Sequence, residues 1–213
     1  MLRGLLRRGS KTGVSKSCSP RRIVMYPARN NELLNFVCIH PDPQETADGD
    51  NTWNREGRVE DLLKCYEGFD PRALKLLALA DPESLKVWNL MDMDEIEQWQ
   101  RGHCCLIGDA AHPFLPHQGQ GAAQAIEDAA SLGCVLPLGT TRADVPSRMQ
   151  LYEKCRKERA ERVQDVTRQA GPANKMELQK IKEFDEYNYG YDEVGHSTKM
   201  LQESLREQNG NIK

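Results

Sequence analysis

One run of residues constrains the fold more than any other. It reads Cys104-Cys105-Leu106-Ile107-Gly108-Asp109-Ala110-Ala111-His112-Pro113 and continues through Pro116-His117-Gln118-Gly119-Gln120-Gly121-Ala122-Ala123-Gln124-Ala125-Ile126-Glu127-Asp128-Ala129. A short apolar segment ends on Gly-Asp, a tight loop rich in proline and glycine follows, and an alanine-rich helix opens at two glycines. That order predicts strand, turn and helix. It sets one carboxylate, Asp109, at a strand end with a helix N-terminus close behind it.

The rest of the chain frames this run. Its 213 residues suffice for one sizeable domain or two small ones. A hydrophobic fraction of 38% with 29% charged residues is polar for a globular chain but well short of a disordered composition. The net charge of −3 argues against a broad basic surface for nucleic acid. No apolar run approaches a membrane span. The cysteines are irregularly spaced and include no Cys-x-x-Cys, which points to a reducing, intracellular setting without a disulfide frame or zinc site. Cys104 and Cys105 read as small hydrophobes of the strand. Residues 1–29 carry basic side chains and no acid, the composition of a mitochondrial transit peptide. The preferred reading is a basic, disordered tail over 1–20 on a cytoplasmic protein.

Ile23 to Pro27 and Leu33 to His40 read as strands joined by a polar turn, hence a β-hairpin. Both faces of the second strand are largely apolar, so the sheet is expected to be covered on each side. Pro41 to Glu56 is a polar loop, and the spacing of Asp42, Asp48 and Asp50 does not fit a calcium loop. Val59, Leu62, Leu63 and Tyr66 recur at helical spacing. Asp70-Pro71 and Asp81-Pro82 each pair a capping side chain with proline in a first turn. Ser84 to Met91 alternates as a strand. Gly121 to about Leu136 reads as a helix packing through Ile126, Ala129, Ala130, Gly133 and Leu136. Ser147 starts a long charged helix through Gln169, with Met149, Tyr152, Val163 and Val166 near one side, and Gly171-Pro172 stops it. Lys175 to Tyr191 is helical, and the chain from Gly190 on is loose. The expected organisation is a basic terminus (1–20), a substrate-side sheet with helices (21–100), a ligand-binding strand-loop-helix with the long helix (101–171), and a helical tail (172–213).

The chemistry centres on Asp109 and the start of the Gly121 helix. A carboxylate at the end of a buried strand can accept hydrogen bonds from ligand hydroxyls; the plainer role is to cap the next turn. Gly119-Gln120-Gly121 is not a dinucleotide fingerprint, because Gln124 stands where a third glycine is required. It is still a helix N-terminus with exposed N–H groups, which favours negative charge. A flavin nucleotide offers both hydroxyls and an electron-rich ring edge. Pro113 and Pro116 stiffen the loop and withhold N–H donors, as an apolar wall beside such a ring requires. For His112, a hydrogen bond to the loop backbone is preferred over a general-base role.

Taken together, Arg22-Ile23-Val24-Met25-Tyr26-Pro27, Leu33-Leu34-Asn35-Phe36-Val37, Trp99 with Gly102, Leu106 to Pro113, Pro116 to Gly121 and Ala125 to Ala129 resemble the FAD-dependent aromatic-ring hydroxylases, especially salicylate-hydroxylase-like monooxygenases. The resemblance runs from Arg21 to Gln169 and implies the C-terminal part of an α/β fold with α+β character, of the FAD/NAD(P)-binding, p-hydroxybenzoate-hydroxylase type. That part comprises a substrate-roof sheet, an FAD-binding strand-loop-helix and C-terminal helices. It implies that Gly108 and Asp109 lie at the FAD ribityl chain or phosphate, and that Gly119, Gln120, Gly121, Ala122 and Ala123 face the isoalloxazine ring with Pro116 beside it. Strands near Tyr26, Phe36 and Trp88 would roof a small aromatic substrate. NAD(P)H and O₂ would be co-substrates. The family's amino-terminal G-x-G-x-x-G half has no counterpart here, which implies a complementing flavoprotein half for the ADP end.

Two function classes follow: an FAD-binding aromatic hydroxylase present as its C-terminal portion, or a non-catalytic remnant of the fold acting by protein contact. A third, within the enzyme class, is a mitochondrial quinone-ring hydroxylase, favoured by the basic start and disfavoured by the motif spelling.

Overall fold

In the computed structural model of the chain, residues 21–41, 55–170 and 178–210 are described. The expectations for residues 1–20, for the aspartates between 42 and 50, and for Gly171-Pro172 lie outside them. Strands and helices mix, as an α/β chain requires. The described residues fall into two compact units: 21–41 with 56–86, and 55 with 87–170 and 178–210.

The first unit is built on a hairpin. Strands β1 (Arg22–Ala28) and β2 (Leu33–Ile39) pair antiparallel, from Arg22↔Ile39 to Ala28↔Leu33. Arg29, Asn30 and Asn31 turn the chain with φ of 47°, 54° and 70°. Asparagine tolerates this left-handed region, whereas arginine is uncommon there. Among the described residues the expected two-sided cover is not found: Val24, Met25, Tyr26, Leu33 and Leu34 are exposed. Cover within this unit concentrates at the open end of the hairpin. There the fully buried Tyr66 donates its hydroxyl to the Ile39 carbonyl at 2.7 Å, with the Arg22 carbonyl at 3.2 Å. Burial and the neighbouring thiols push this phenol well above its ordinary pKa, so it stays a donor. Tyr66→Phe would remove the buried hydroxyl donor of the Ile39 carbonyl and the half-buried bond to the Arg22 carbonyl. The expected cost to this unit is about 1–2 kcal/mol, read as faster amide exchange across the hairpin; unchanged exchange would refute it.

Strand β3 (Arg55–Glu56) precedes helices α1 (Val59–Cys65) and α2 (Pro71–Leu77). Asp70 caps α2 by accepting from the Arg72 amide at 2.8 Å, with Pro71 in the first turn. Asp81-Pro82 does not start a helix. Asp81 accepts from the Glu83 amide at 3.1 Å and closes a turn, because the chain becomes extended soon afterwards. The strand expected over Ser84 to Met91 shrinks to β4 (Lys86–Val87), paired with β3. Trp88, Leu90 and Met91 beyond it are exposed and lie outside that two-residue ladder.

The second unit opens with the hairpin β5 (Gln100–Arg101) and β6 (Cys104–Cys105). Gly102, with φ 60°, stands first in its two-residue turn, where a primed turn needs a left-handed residue. Cys104 is exposed at this rim, not in a core as expected. A 3-10 turn (Gly108–Ala110) follows, then α3 (Gly121–Val135), α4 (Val145–Gln169), α5 (Leu178–Tyr189) and α6 (Glu193–Gly210). The core joins Trp99, Ala111, Val135, Leu151, Tyr152 and Leu201. Helix α4 buries Met149, Tyr152, Val163 and Val166 as its spacing predicts.

Two expectations for this unit are corrected. Helix α3 does not bury Ile126, Ala129 and Gly133; Ile126 is 70% exposed. It buries Gln124, Asp128, Ser131 and Val135 instead, because a cation on α4 meets that face. The stretch after Gly190 is not loose. It forms α6, docked through Glu193, Ser197 and Leu201 at i, i+4 and i+8. Ser197 shares a 2.8 Å hydrogen bond with Ser131 of α3. No helix among the described residues is long and apolar enough to cross a membrane.

Candidate functional site

The glycine-aspartate loop hangs from one buried carboxylate. After β6 the Leu106 amide donates to the Trp99 carbonyl at 2.7 Å. Gly108 then takes φ 55°, and the Ala111 and His112 amides both donate to its carbonyl at 2.9 Å. A Cβ at Gly108 would lie 3.5 Å from Ala125 Cβ, an ordinary contact, so the backbone conformation and not lack of space calls for glycine. The Gly108 amide donates to Asp128 Oδ2 at 2.8 Å, and His112 Nε2 donates to the same oxygen at 2.8 Å. His112 is fully buried between Trp99 and Phe114, with ring centroids 5.1 Å and 5.3 Å away. The expected bond from this ring to the loop backbone is therefore replaced by one to a side chain. Burial keeps the ring from bulk solvent, which disfavours the general-base alternative.

Asp128 is completed by Arg156 of α4, whose Nε donates to Oδ1 at 2.8 Å. Burial alone would raise the Asp128 carboxyl. The hydrogen bonds from His112, Arg156 and the Gly108 amide outweigh it and hold the group below the ordinary carboxylate range. Arg156 is itself fully buried and uses every donor it has. Nη1 serves Glu127 and Glu193 at 2.7 Å each, and Nη2 serves the Gln124 side chain at 2.8 Å and its carbonyl at 3.3 Å. Arg159, one turn on, grips both oxygens of Glu127 at 2.6 and 2.7 Å and lies 3.8 Å over the Tyr191 ring. Helix α4 holds the rest of the loop as well. Gln164 donates to the Pro113 carbonyl at 2.7 Å, and Thr167 donates to the Gln118 side chain at 3.0 Å.

The residues singled out from sequence lie along this frame. Gly108 is buried and Asp109 beside it is exposed, both in the 3-10 turn. Pro116 and Gly119 are exposed, Gln120 is buried at the N-cap of α3, Gly121 and Ala123 are half-buried, and Ala122 is exposed. The Gly108 amide bond to Asp128 and the closeness of Gly108 to Ala125 dock the 3-10 turn that carries Asp109 against α3, one to two turns in from its start. The set suits a flavin in two respects. Space is open beyond Gly119, where a Cβ would meet nothing within 4 Å. The first-turn amides of α3 have no intrahelical acceptor, and no acidic side chain sits in that turn to occupy them. A separate open groove of about 720 Å³, lined by Glu97, Glu153, Lys157 and Glu161, contains none of these residues.

On the substrate side the pairing of β1 with β2 decides more than the sequence could. Met25 faces Phe36 and Tyr26 faces Asn35, so Tyr26 and Phe36 point to opposite faces of the sheet. Trp88 belongs to the second unit. The three aromatics therefore do not share one wall of the hairpin sheet.

Sequence reasoning passed over Asp128, Arg156, Glu193, Gln164 and Thr167. A usable signal was present in the adjacent acids Glu127-Asp128 and the i, i+3 pair Arg156 and Arg159, each on a segment already read as helical.

Known proteins resemble this chain over most of its length. Residues 8–167 match the family model described as FAD binding domain. The chain is 40% identical over 148 residues to the FAD-dependent monooxygenase atnJ of Arthrinium sp, covering 70% of this chain and 34% of that protein. It is 34% identical over 193 residues to hispidin-3-hydroxylase of Neonothopanus nambi, covering 89% of this chain and 44% of that protein. Among solved structures, a salicylate hydroxylase substrate complex superposes with a TM-score of 0.64 at 26% identity, over 86% of this chain and 47% of that one. The chain thus spans between a third and a half of the length of these relatives.

Proposed function

The chain belongs to the FAD-binding-domain family of FAD-dependent monooxygenases, and on that footing we propose that it forms the flavin-facing portion of an aromatic hydroxylase using NAD(P)H and O₂. The observation that carries this reading is the exposed Asp109 on a turn docked against α3, a helix whose first-turn amides are left open. Asp109 accepts hydrogen bonds from ribityl hydroxyls. The amides of Gly121, Ala122 and Ala123 face the electron-rich edge of the ring, and Pro116 supplies a stiff wall that donates no hydrogen bond. The bound flavin supplies the redox chemistry and activation of O₂; the chain orients it and shields it from water. The substrate is a small aromatic compound, in keeping with the names of the relatives.

The ADP end of the cofactor needs a complementing segment, in the same polypeptide or another. The exposed apolar residues of β1 and β2 and the bare Ile126 of α3 support that reading.

Titration of the purified chain with FAD, followed by flavin fluorescence, tests the proposal. Saturable binding is expected, weakened about tenfold or more by Asp109→Ala, since a lost hydrogen bond to an ionised group is worth about 1.5–3 kcal/mol. A folded chain that binds no FAD would overturn the assignment and favour the protein-contact module, and equal binding without Asp109 would overturn the role given to Asp109.

A further inference from the structure

We propose that Glu193 of α6 is a positioning residue for the Gly108–His112 loop, acting through Arg156 and Asp128. The proposal rests on the flavin-facing reading of that loop, but its physical basis is separate from it.

Four elements are joined end to end by buried charge. Glu193 Oε2 accepts from Arg156 Nη1 at 2.7 Å, Arg156 Nε donates to Asp128 Oδ1 at 2.8 Å, and Asp128 Oδ2 accepts from the Gly108 amide and His112, each at 2.8 Å. Glu193, Arg156, Asp128 and His112 are each at most 5% exposed. Nothing in this chain of contacts is free to choose another partner. The other Glu193 oxygen accepts from Ser197, which is held in turn by Ser131. Glu127, the second acid on Arg156 Nη1, is already gripped on both oxygens by Arg159. Replacing the Glu193 carboxylate by an amide leaves Arg156 Nη1 at best one neutral oxygen and turns an NH₂ against the Ser197 hydroxyl, or the reverse, so a donor meets a donor at one end. The rigid guanidinium plane can regain a good acceptor only by turning, and its Nε bond to Asp128 turns with it. Asp128 is the sole side chain that the Gly108 amide and the His112 ring contact by hydrogen bond among the described residues. A charge on α6 thereby sets the orientation of the loop that carries Asp109. Helix α6 lies beyond residues 8–167, the stretch that matches the family model.

The test uses the full chain with Glu193→Gln and the charge-retaining Glu193→Asp, read by amide exchange over residues 106–113 and by FAD titration. Glu193→Gln is expected to speed exchange of that loop about five- to thirtyfold, with no matching rise in α1 and α2. It should weaken FAD binding by a similar factor, with part of both effects restored in Glu193→Asp. Faster exchange confined to α6, with an unchanged loop, overturns the proposal. If Glu193→Gln does not fold, Ser197→Ala, which removes the second anchor of Glu193 together with the bond to Ser131, carries the same two readouts, with Ser131→Ala as its control. If the native chain binds no FAD, the flavin-facing reading fails alone, and loop exchange still decides the coupling.

Discussion

Arg156→Met is expected to cost the second unit about 3–5 kcal/mol, because it strips a buried cation from the carboxylates it compensates. Stability totals for domains run to roughly 5–15 kcal/mol, so the variant should lose cooperative unfolding in mild urea or fail to fold at physiological temperature. The reasoning is asymmetric. An ion cluster need not stabilise a fold relative to a well-packed apolar one, but one with a member missing is costly. Methionine matches the length of the arginine stem and supplies none of its five donors. The buried Asp128 and Glu193 and the partly buried Glu127 would then face one another, with Arg159 committed to Glu127 alone. Arg156→Lys should not rescue the fold, since an ammonium has three donors on one point and the four partner residues around the guanidinium are spread across its plane. Urea unfolding followed by circular dichroism checks this, and a midpoint for Arg156→Met close to that of the native chain would refute the account.

Asp128→Asn should cost about 3 kcal/mol and change the response to acid. Its two oxygens accept from three donors on two sides. An amide keeps one oxygen for the Gly108 and His112 side and turns an NH₂ toward the Arg156 Nε–H, so two donors meet. Hydrogen bonds to charged groups are worth about 1.5–3 kcal/mol each, which sets the scale. The folded state holds this carboxyl below its ordinary value. A depressed folded pKa stabilises the fold fully above the unfolded pKa, about 3.9 for aspartate, and that stability is lost as pH falls through the folded value. The native chain should therefore lose stability below about pH 4, and Asp128→Asn should show a shallower loss there. Asp70, held near 2 by its Arg72 bond, and the similarly depressed Asp92 and Asp144 keep some acid sensitivity in the variant. Equal slopes for the two proteins between pH 5 and pH 2, in thermal melts, would exclude Asp128 as a contributor.

The sequence was most legible where hydrophobic period and local chemistry agree. The β1–β2 hairpin, the start of α2 at Asp70-Pro71, and helices α3 and α4 all fall where spacing and capping put them. It was least legible where polar groups are buried. An apolar-period search assigns α3 the face of Ile126 and Ala129, yet the buried face carries Gln124 and Asp128, because Arg156 lies against it. Helix α6 read as loose for the same reason: two of its three docking positions are Glu193 and Ser197, polar residues with no apolar signature. Ser84 to Met91 alternates like a strand, but only Lys86 and Val87 have a partner strand, and alternation without a ladder does not make a sheet. The motif from Gly108 to Asp128 was legible as chemistry and as order. What holds it was not, since its anchors lie up to 51 residues away, at Gln164 opposite Pro113.

The separation along the chain between the two ends of the Arg156–Glu193 bond has a consequence in time. Thirty-seven residues part them. At typical synthesis rates of roughly 5–20 residues per second, Arg156 emerges about 2–7 s before its last carboxylate exists. During that interval α3 and α4 can pair through Asp128 and Glu127, but one guanidinium proton must stay in contact with water. The nascent unit is therefore hydrated at its centre until α6 arrives, and its flavin-side loop matures after the helices that flank it.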